Sequence, residues 1–101
     1  MNYLDRLATE IRREVPPDRL PSGDTALLFR LYALLALAKG ERVTAADVHD
    51  AWSAWILETN ANHSSLRPYE ELDSAAKVQD KPYVEAIHRI ARQRLLRRPK
   101  A

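Results

Sequence analysis

The sequence predicts an all-α fold, a small helical bundle with about four main helices in one domain over residues 1–101. Ala, Leu, Arg and Glu, which favour helices, dominate the chain, whereas Gly occurs only twice and β-branched residues are sparse. The segment 26–38 is almost entirely apolar, and Arg30 is its one charged residue. Because this segment is shorter than the roughly 18 to 20 residues that span a bilayer, we expect protein to surround it.

The first helix is predicted over residues 2–14. Leu4, Leu7 and Ile11 recur at helical spacing and form an apolar face, while charged residues occupy the other side. This segment lacks the continuous apolar region of a signal peptide. Pro16 ends the helix, since proline lacks the amide N–H that a helix interior requires. A turn-rich connector with little apolar character follows.

The second helix is predicted over residues 24–39, with Asp24 as its N-cap and Gly40 at its C-terminal end. A helix that is apolar on every side must be covered by its neighbours, and three further long helices are few for that task. We therefore expect part of its surface to remain exposed and to contact a second chain. The candidate interface residues are Leu28, Leu35 and Trp55.

The third helix is predicted over residues 44–58, because Thr44 and Asp47 form a variant of the capping box. A polar loop follows it, and short helical turns are expected near residues 68–78. The last helix is predicted over residues 81–96, with apolar residues again at helical spacing. The four helices have no linker between them that would separate two domains.

Positive charge is concentrated at the C-terminal end, over residues 89–101. Six basic and no acidic residues follow His88, which leaves a net charge of −4 for residues 1–87 of a chain whose total is +2. Such an end can bind phosphates, and it can equally be a solvated helix terminus whose cations interact favourably with the helix dipole. The candidate nucleic-acid-binding residues are Arg89, Arg92, Arg94, Arg97, Arg98 and Lys100.

No motif in the sequence identifies a reaction, a cofactor or a metal. Cysteine is absent, which excludes disulfides, a thiol nucleophile and thiolate-bound metals. His49, His63 and His88 do not recur three or four residues apart, so the paired-histidine metal motif is missing. The two glycines stand alone and cannot form a phosphate-binding loop. We therefore predict a protein that is not an enzyme, with no catalytic residues, no metal site and no cofactor.

The second half of the chain carries an ordered set of residues that resembles a known domain. The set runs from the third helix through the loop to the start of the last helix, as Val48, His49, Trp52, His63, Leu66, Pro68, Tyr69, Leu72, Lys77 and Asp80. Over residues 48–96 this order is similar to the small domain repeated in ryanodine receptors, although the usual aromatic, glycine-containing segment is replaced by ILETNANH. The whole chain also resembles small proteins of actinobacteria and their phages whose activity is unknown.

This resemblance implies a helical module that senses a small anionic, nucleotide-like ligand. Carried over residue by residue, the candidate ligand-binding residues are His49, Trp52, Arg67, Tyr69, Lys77 and Asp80. The same side chains can instead fasten the loop to the bundle, since a buried Tyr or His requires a hydrogen-bond partner. Trp55 remains open between a place in the core, at the edge of a cleft and against a partner protein.

Taken together, these observations predict a non-catalytic binding or accessory module in the cytoplasm of an actinobacterium or its phage. The expected partner is a protein, including a second copy of this chain, or a small anionic ligand, and no membrane is involved. The alternative function is nucleic-acid association through the basic C-terminal end, for which binding must weaken steeply with salt.

Overall fold

The computed structural model describes residues 2–97, apart from the side chains of the last two of these. Within that range the chain is all-α and contains no strand, as predicted. The α-helices are α1 (Tyr3–Glu14), α2 (Ala26–Lys39), α3 (Ala45–Ile56), the short α4 (Ser74–Val78) and α5 (Lys81–Arg97). Short 3₁₀ turns occupy Pro17–Arg19, Gly40–Arg42 and Tyr69–Glu71. The four main helices and the turns near residues 68–78 are thus confirmed.

Local side-chain chemistry accounts for where the helices begin. At α3, the Thr44 amide donates to Asp47 Oδ2 at 2.9 Å and the Asp47 amide donates to Thr44 Oγ1 at 3.2 Å, which completes the predicted capping box. At α2 the N-cap position is taken by Thr25, so the prediction of Asp24 was wrong by one residue. The Asp24 carboxylate nevertheless accepts a bond from the Ala26 amide at 2.9 Å.

The central position of α2 is confirmed, because it packs against α1, α3 and α5. Its buried residues are Leu28, Phe29, Tyr32, Ala33 and Ala36. Leu7 and Ile11 of α1, Val48 of α3 and Ile87 of α5 are at most 2% exposed and share this core. Burying each of these side chains contributes about 1.5 to 3 kcal/mol to the free energy of unfolding. These contributions hold the three helices around α2.

The surrounding helices leave one face of α2 in solvent. Leu27, Leu34 and Leu37 are 42%, 54% and 41% exposed, whereas Leu28 is 0% exposed. The prediction that Leu28 contacts a second chain was therefore wrong, because its side chain lies inside the core. Leu35 is half-buried, which leaves part of it accessible. Among the described residues no helix combines the length and the apolar character needed to cross a membrane.

Two hydrogen bonds from α5 fix the connectors that precede α2 and α3. The Tyr83 hydroxyl donates to the main-chain carbonyl of Arg19. His88 Nε2 donates to the carbonyl of Val43 at 2.7 Å, which identifies Nε2 as the protonated nitrogen, since a carbonyl only accepts. The connector before α2 is thereby held next to the start of α5, and it forms one side of the cleft described below.

Candidate functional site

A cleft with a volume of about 790 Å³ opens between the connector before α2 and one face of α3. Its walls come from residues 18–24, from α3 and the loop after it, and from residues 72–83 around the start of α5. These segments are far apart in sequence and meet because α3 and α5 both pack on α2. The volume lies within the range of about 300 to 1,000 Å³ that is usual for small-molecule sites.

Aromatic side chains form the α3 wall of the cleft. Trp52 and Trp55 are three residues apart, so they lie on one helical face, and both are half-buried. The ring of Trp52 is stacked on His49, with 5.5 Å between the ring centroids, and meets the edge of His63 at 5.0 Å. Trp52 is therefore held in place by two imidazoles, and Trp55 lies beside it in the same wall.

The two imidazoles have defined proton positions because of the main-chain groups they contact. His49 is 3% exposed, and its Nε2 lies 2.8 Å from the carbonyl oxygen of Arg67, so Nε2 must donate. His63 Nδ1 accepts a bond from the amide of Ser65 at 3.0 Å, which leaves Nε2 as the protonated nitrogen of the neutral ring. Both histidines thus also fasten the loop after α3.

The carboxyl group of Asp80 lies at the base of the cleft in an unusual environment. Its Oδ2 atom is buried and has no hydrogen-bond partner within the described part of the chain. Burial raises the pKa of Asp80 to about 6, and the nearby His49 opposes that rise. The pKa values of Tyr32 and Tyr83 are raised as well, first by burial and then by charged or titratable neighbours that include Asp80. Asp80, Tyr32 and Tyr83 thus bring polar atoms to the cleft that Trp52 and Trp55 also line.

Three of the six candidate ligand-binding residues line this cleft, namely His49, Trp52 and Asp80. The other three lie behind His49. Arg67 contributes its carbonyl to His49, the Tyr69 ring is 6.3 Å from the His49 ring, and Lys77 Nζ lies 5.3 Å from the centre of the Tyr69 ring. Arg67 and Lys77 are not among the residues that line the cleft, so their side chains do not form its walls.

The structure adds residues that the sequence pattern did not indicate. Tyr32, Tyr83 and Arg19 line the cleft from α2, α5 and the connector. Tyr32 carries a weak signal in the sequence, since it is the one uncharged side chain with a polar atom in the apolar run of α2. Trp55, expected either in the core, at a cleft edge or at an interface, lies at the cleft.

The basic C-terminal end is partly neutralised. Arg89 Nε lies 3.0 Å from Glu14 Oε1, and Arg92 Nε lies 2.6 Å from Glu41 Oε1. Arg94 is exposed. The remaining candidates for nucleic-acid binding fall outside the described part of the structure, namely the side chain of Arg97 together with Arg98 and Lys100.

A metal is not indicated at the cleft or elsewhere in the part of the chain that the structure describes, where no group of three His, Asp or Glu side chains could hold one. Residues 2–92 match the model of a family described as a domain of unknown function, DUF7701. Neither the curated proteins nor the solved structures contain a match to the chain. These comparisons include no ryanodine-receptor-type domain, so that resemblance stays a prediction.

The environment of Asp80 predicts that Asp80→Asn stabilises the folded protein above pH 6. Because the pKa of Asp80 is raised from 3.8 to about 6 on folding, the wild type loses stability as pH rises from about 4 to about 6, where the buried group must ionise. The amide has no such cost. We expect thermal unfolding at pH 8 to show a gain of about 4 °C, roughly 1 kcal/mol after allowance for partial exposure.

Near pH 4 the two proteins should unfold at almost the same temperature, since Asp80 is protonated in the folded wild type. Asp18→Asn is the matched control, because this carboxylate lines the same cleft and its side chain is 81% exposed. It should show no pH-dependent difference of this kind. A clear loss of stability in Asp80→Asn at pH 8 would mean that the carboxylate supports the fold.

Proposed function

We propose that this chain, which belongs to the DUF7701 family, is a non-catalytic module that binds a small planar, nucleotide-like molecule in the cleft beside α3. The observation that carries the proposal is a cleft walled by Trp52 and Trp55 and also lined by Asp80, whose buried Oδ2 has no hydrogen-bond partner among the described residues. A buried polar atom without a partner destabilises the fold, and such atoms concentrate where function requires them. The actinobacterial or phage origin and the cytoplasmic location expected from the sequence belong to this proposal.

The shape and chemistry of the cleft support a flat ligand. Tryptophan faces stack on heteroaromatic rings, and each such contact is worth about 1 to 3 kcal/mol when measured by alanine substitution. Tyr32 and Tyr83 also line the cleft but are only 1% and 8% exposed, so the tryptophans supply most of its aromatic surface. Asp80 lines the same cleft, so stacking on the wall and a hydrogen bond to the carboxyl group can act on one ligand.

The arrangement of the imidazoles favours binding over catalysis. Ser53 Oγ lies 3.5 Å from His49 Nε2, but that nitrogen already donates its proton to the Arg67 carbonyl. His49 therefore cannot accept the serine proton through this atom, and general-base activation of a nucleophile requires that step. His63 uses its Nδ1 lone pair on the Ser65 amide in the same way.

The proposal is tested by tryptophan fluorescence, since both tryptophans of the chain line the cleft. We expect adenine and adenosine to quench the emission saturably and to raise the melting temperature, and AMP to do so more weakly because its phosphate is an anion. Trp55→Ala should weaken binding about tenfold, in line with the loss of one stacking contact. Because Trp55 is half-buried and at the cleft edge, the variant should remain folded.

Leu34→Ala is the control for this experiment, because Leu34 is 54% exposed and does not line the cleft. It should bind each compound as the wild type does. An affinity that Trp55→Ala leaves unchanged would contradict binding in the cleft, and so would the absence of any saturable quenching.

The exposed face of α2 supports a second candidate function, contact with a second copy of this chain. Leu27, Leu31, Leu34 and Ala38 are spaced so that they share one face of the helix, and Leu27 and Leu34 are 42% and 54% exposed. Leucines in such a row can pair with the same row of another molecule about a two-fold axis. This pairing replaces the interface in which Leu28 was expected to take part.

We expect sedimentation velocity to show a concentration-dependent dimer that Leu34→Glu converts to a monomer. The substitution places a charge in the middle of the row, where burial against a second apolar row costs several kcal/mol. Leu57→Glu is the control, because Leu57 is 53% exposed and follows α3 rather than lying in the row on α2. Wild-type protein that stays monomeric at all concentrations would contradict the pairing.

Nucleic-acid association through the basic end stays a prediction with less support. Two of its six candidate cations, Arg89 and Arg92, pair with glutamates of the same chain. Cations held in such pairs release fewer counterions on binding phosphates, which reduces the electrostatic contribution to affinity.

A further inference from the structure

We propose that the cleft selects a ligand whose buried edge is an amidine, an amino-substituted heterocycle or another planar group that carries N–H donors or a positive charge. That edge hydrogen-bonds to Asp80 while its ring lies against Trp52 and Trp55. This inference rests on the proposed function, since it requires that the cleft bind a small molecule. The charge expected on the ligand is therefore opposite to that of the anionic ligand that the sequence resemblance implies.

The charges that line the cleft support a cationic edge. Asp18, Asp24 and Asp80 are its carboxylates, whereas Arg19 is its one guanidinium within the described chain. Asp18 lies 4.0 Å from Arg19, and Asp24 accepts the Ala26 amide, so both rim carboxylates have partners. Asp80 Oδ2 has none among the described residues. Asp80 lines the cleft, so the group that holds this acceptor adjoins it, and its negative charge would repel an anionic ligand there.

Two further cations, those of Lys77 and Arg67, do not line the cleft. Lys77 Nζ sits 5.3 Å from the centre of the Tyr69 ring, which satisfies it through a cation–π contact outside the cleft. Arg67 is exposed and contributes only its carbonyl to His49. The Nε2–H group of His49 donates a hydrogen bond to that carbonyl, so it is not available to a phosphate oxygen.

The tryptophan wall favours the same choice. Indole faces carry negative electrostatic potential, so they attract a planar cation more strongly than a neutral ring of equal size. A hydrogen bond from a charged donor to a carboxylate is also about twice as strong as one between neutral groups. One ligand edge can use both effects, because Asp80 and the tryptophans line the same cleft.

The titration of Asp80 adds a pH dependence to this preference. The groups around it are His49 on α3, Tyr32 on α2 and Tyr83 on α5. Burial raises the pKa of Asp80 to about 6, so a cationic ligand meets an ionised carboxylate above that pH and a neutral acid below it. Binding of a cation should therefore weaken as the pH falls from about 7 to about 5.

The test uses three probes of one shape and different charge: benzamidine, benzamide and benzoate. Each is titrated at pH 7.5 into the full chain, and binding is followed by tryptophan fluorescence and by amide chemical shifts in two-dimensional NMR. We expect benzamidine to bind with a Kd of about 1 mM, as is usual for a ligand of this size, and benzoate to bind at least tenfold more weakly. Benzamide should fall between them.

Two variants separate charge recognition from general binding. Asp80→Asn keeps the shape of the side chain and should reduce benzamidine affinity about tenfold, so that the three probes bind alike. Asp18→Asn removes a carboxylate from the same cleft that already pairs with Arg19, and it should change the ratio of benzamidine to benzoate affinity less than twofold.

The outcomes distinguish this inference from the proposed function. Benzoate that binds as tightly as benzamidine, or an Asp80→Asn variant that keeps the preference, would overturn the cationic edge and leave ligand binding in the cleft intact. If none of the probes binds, and adenine, adenosine and AMP also fail, both proposals are overturned. Selective binding of benzamidine that depends on Asp80 would support the inference.

Discussion

The burial of α2 is the constraint on which the rest of this structure depends. A helix with leucines and alanines on all sides must be covered, and α1, α3 and α5 pack around it and cover all but the face that carries Leu27, Leu34 and Leu37. Their placement brings the face of α3 that carries Trp52 and Trp55 opposite the connector before α2 and the start of α5. The cleft is the space that remains between these segments, so it is a consequence of how α2 is covered.

The carboxylate of Asp80 is the point where this arrangement works against stability. A desolvated carboxylate whose Oδ2 has no partner within the described part of the chain lowers the stability of the folded state, whereas an apolar side chain of similar size would not and a neutral amide would do so less. Proteins tolerate such groups mainly at sites of function, where a ligand supplies the missing partner. The aromatic wall beside Asp80 supplies the apolar surface that such a ligand requires.

Much of the fold could be predicted because its signals are local. The capping box of Thr44 and Asp47 and the helical spacing in α1 and α5 involve residues within a few positions of each other. The buried face of α2 could not be predicted, since leucines lie on all its sides. The sequence therefore shows no periodicity that distinguishes the buried Leu28 from the exposed Leu27. Arg67 and Lys77 were expected at the site from a resemblance in residue order, and they lie outside its lining because residue order does not determine the direction of a side chain.

The central claim is that Asp80 is a desolvated carboxyl group in the free protein and that a bound ligand donates a hydrogen bond to it. It is tested most directly by following the ¹³C resonance of this carboxyl group in an NMR pH titration of the full chain. The structure predicts a pKa of about 6 in the free protein, and a lower pKa when benzamidine is bound. A pKa near 3.8 in the free protein, unchanged by benzamidine, would contradict it.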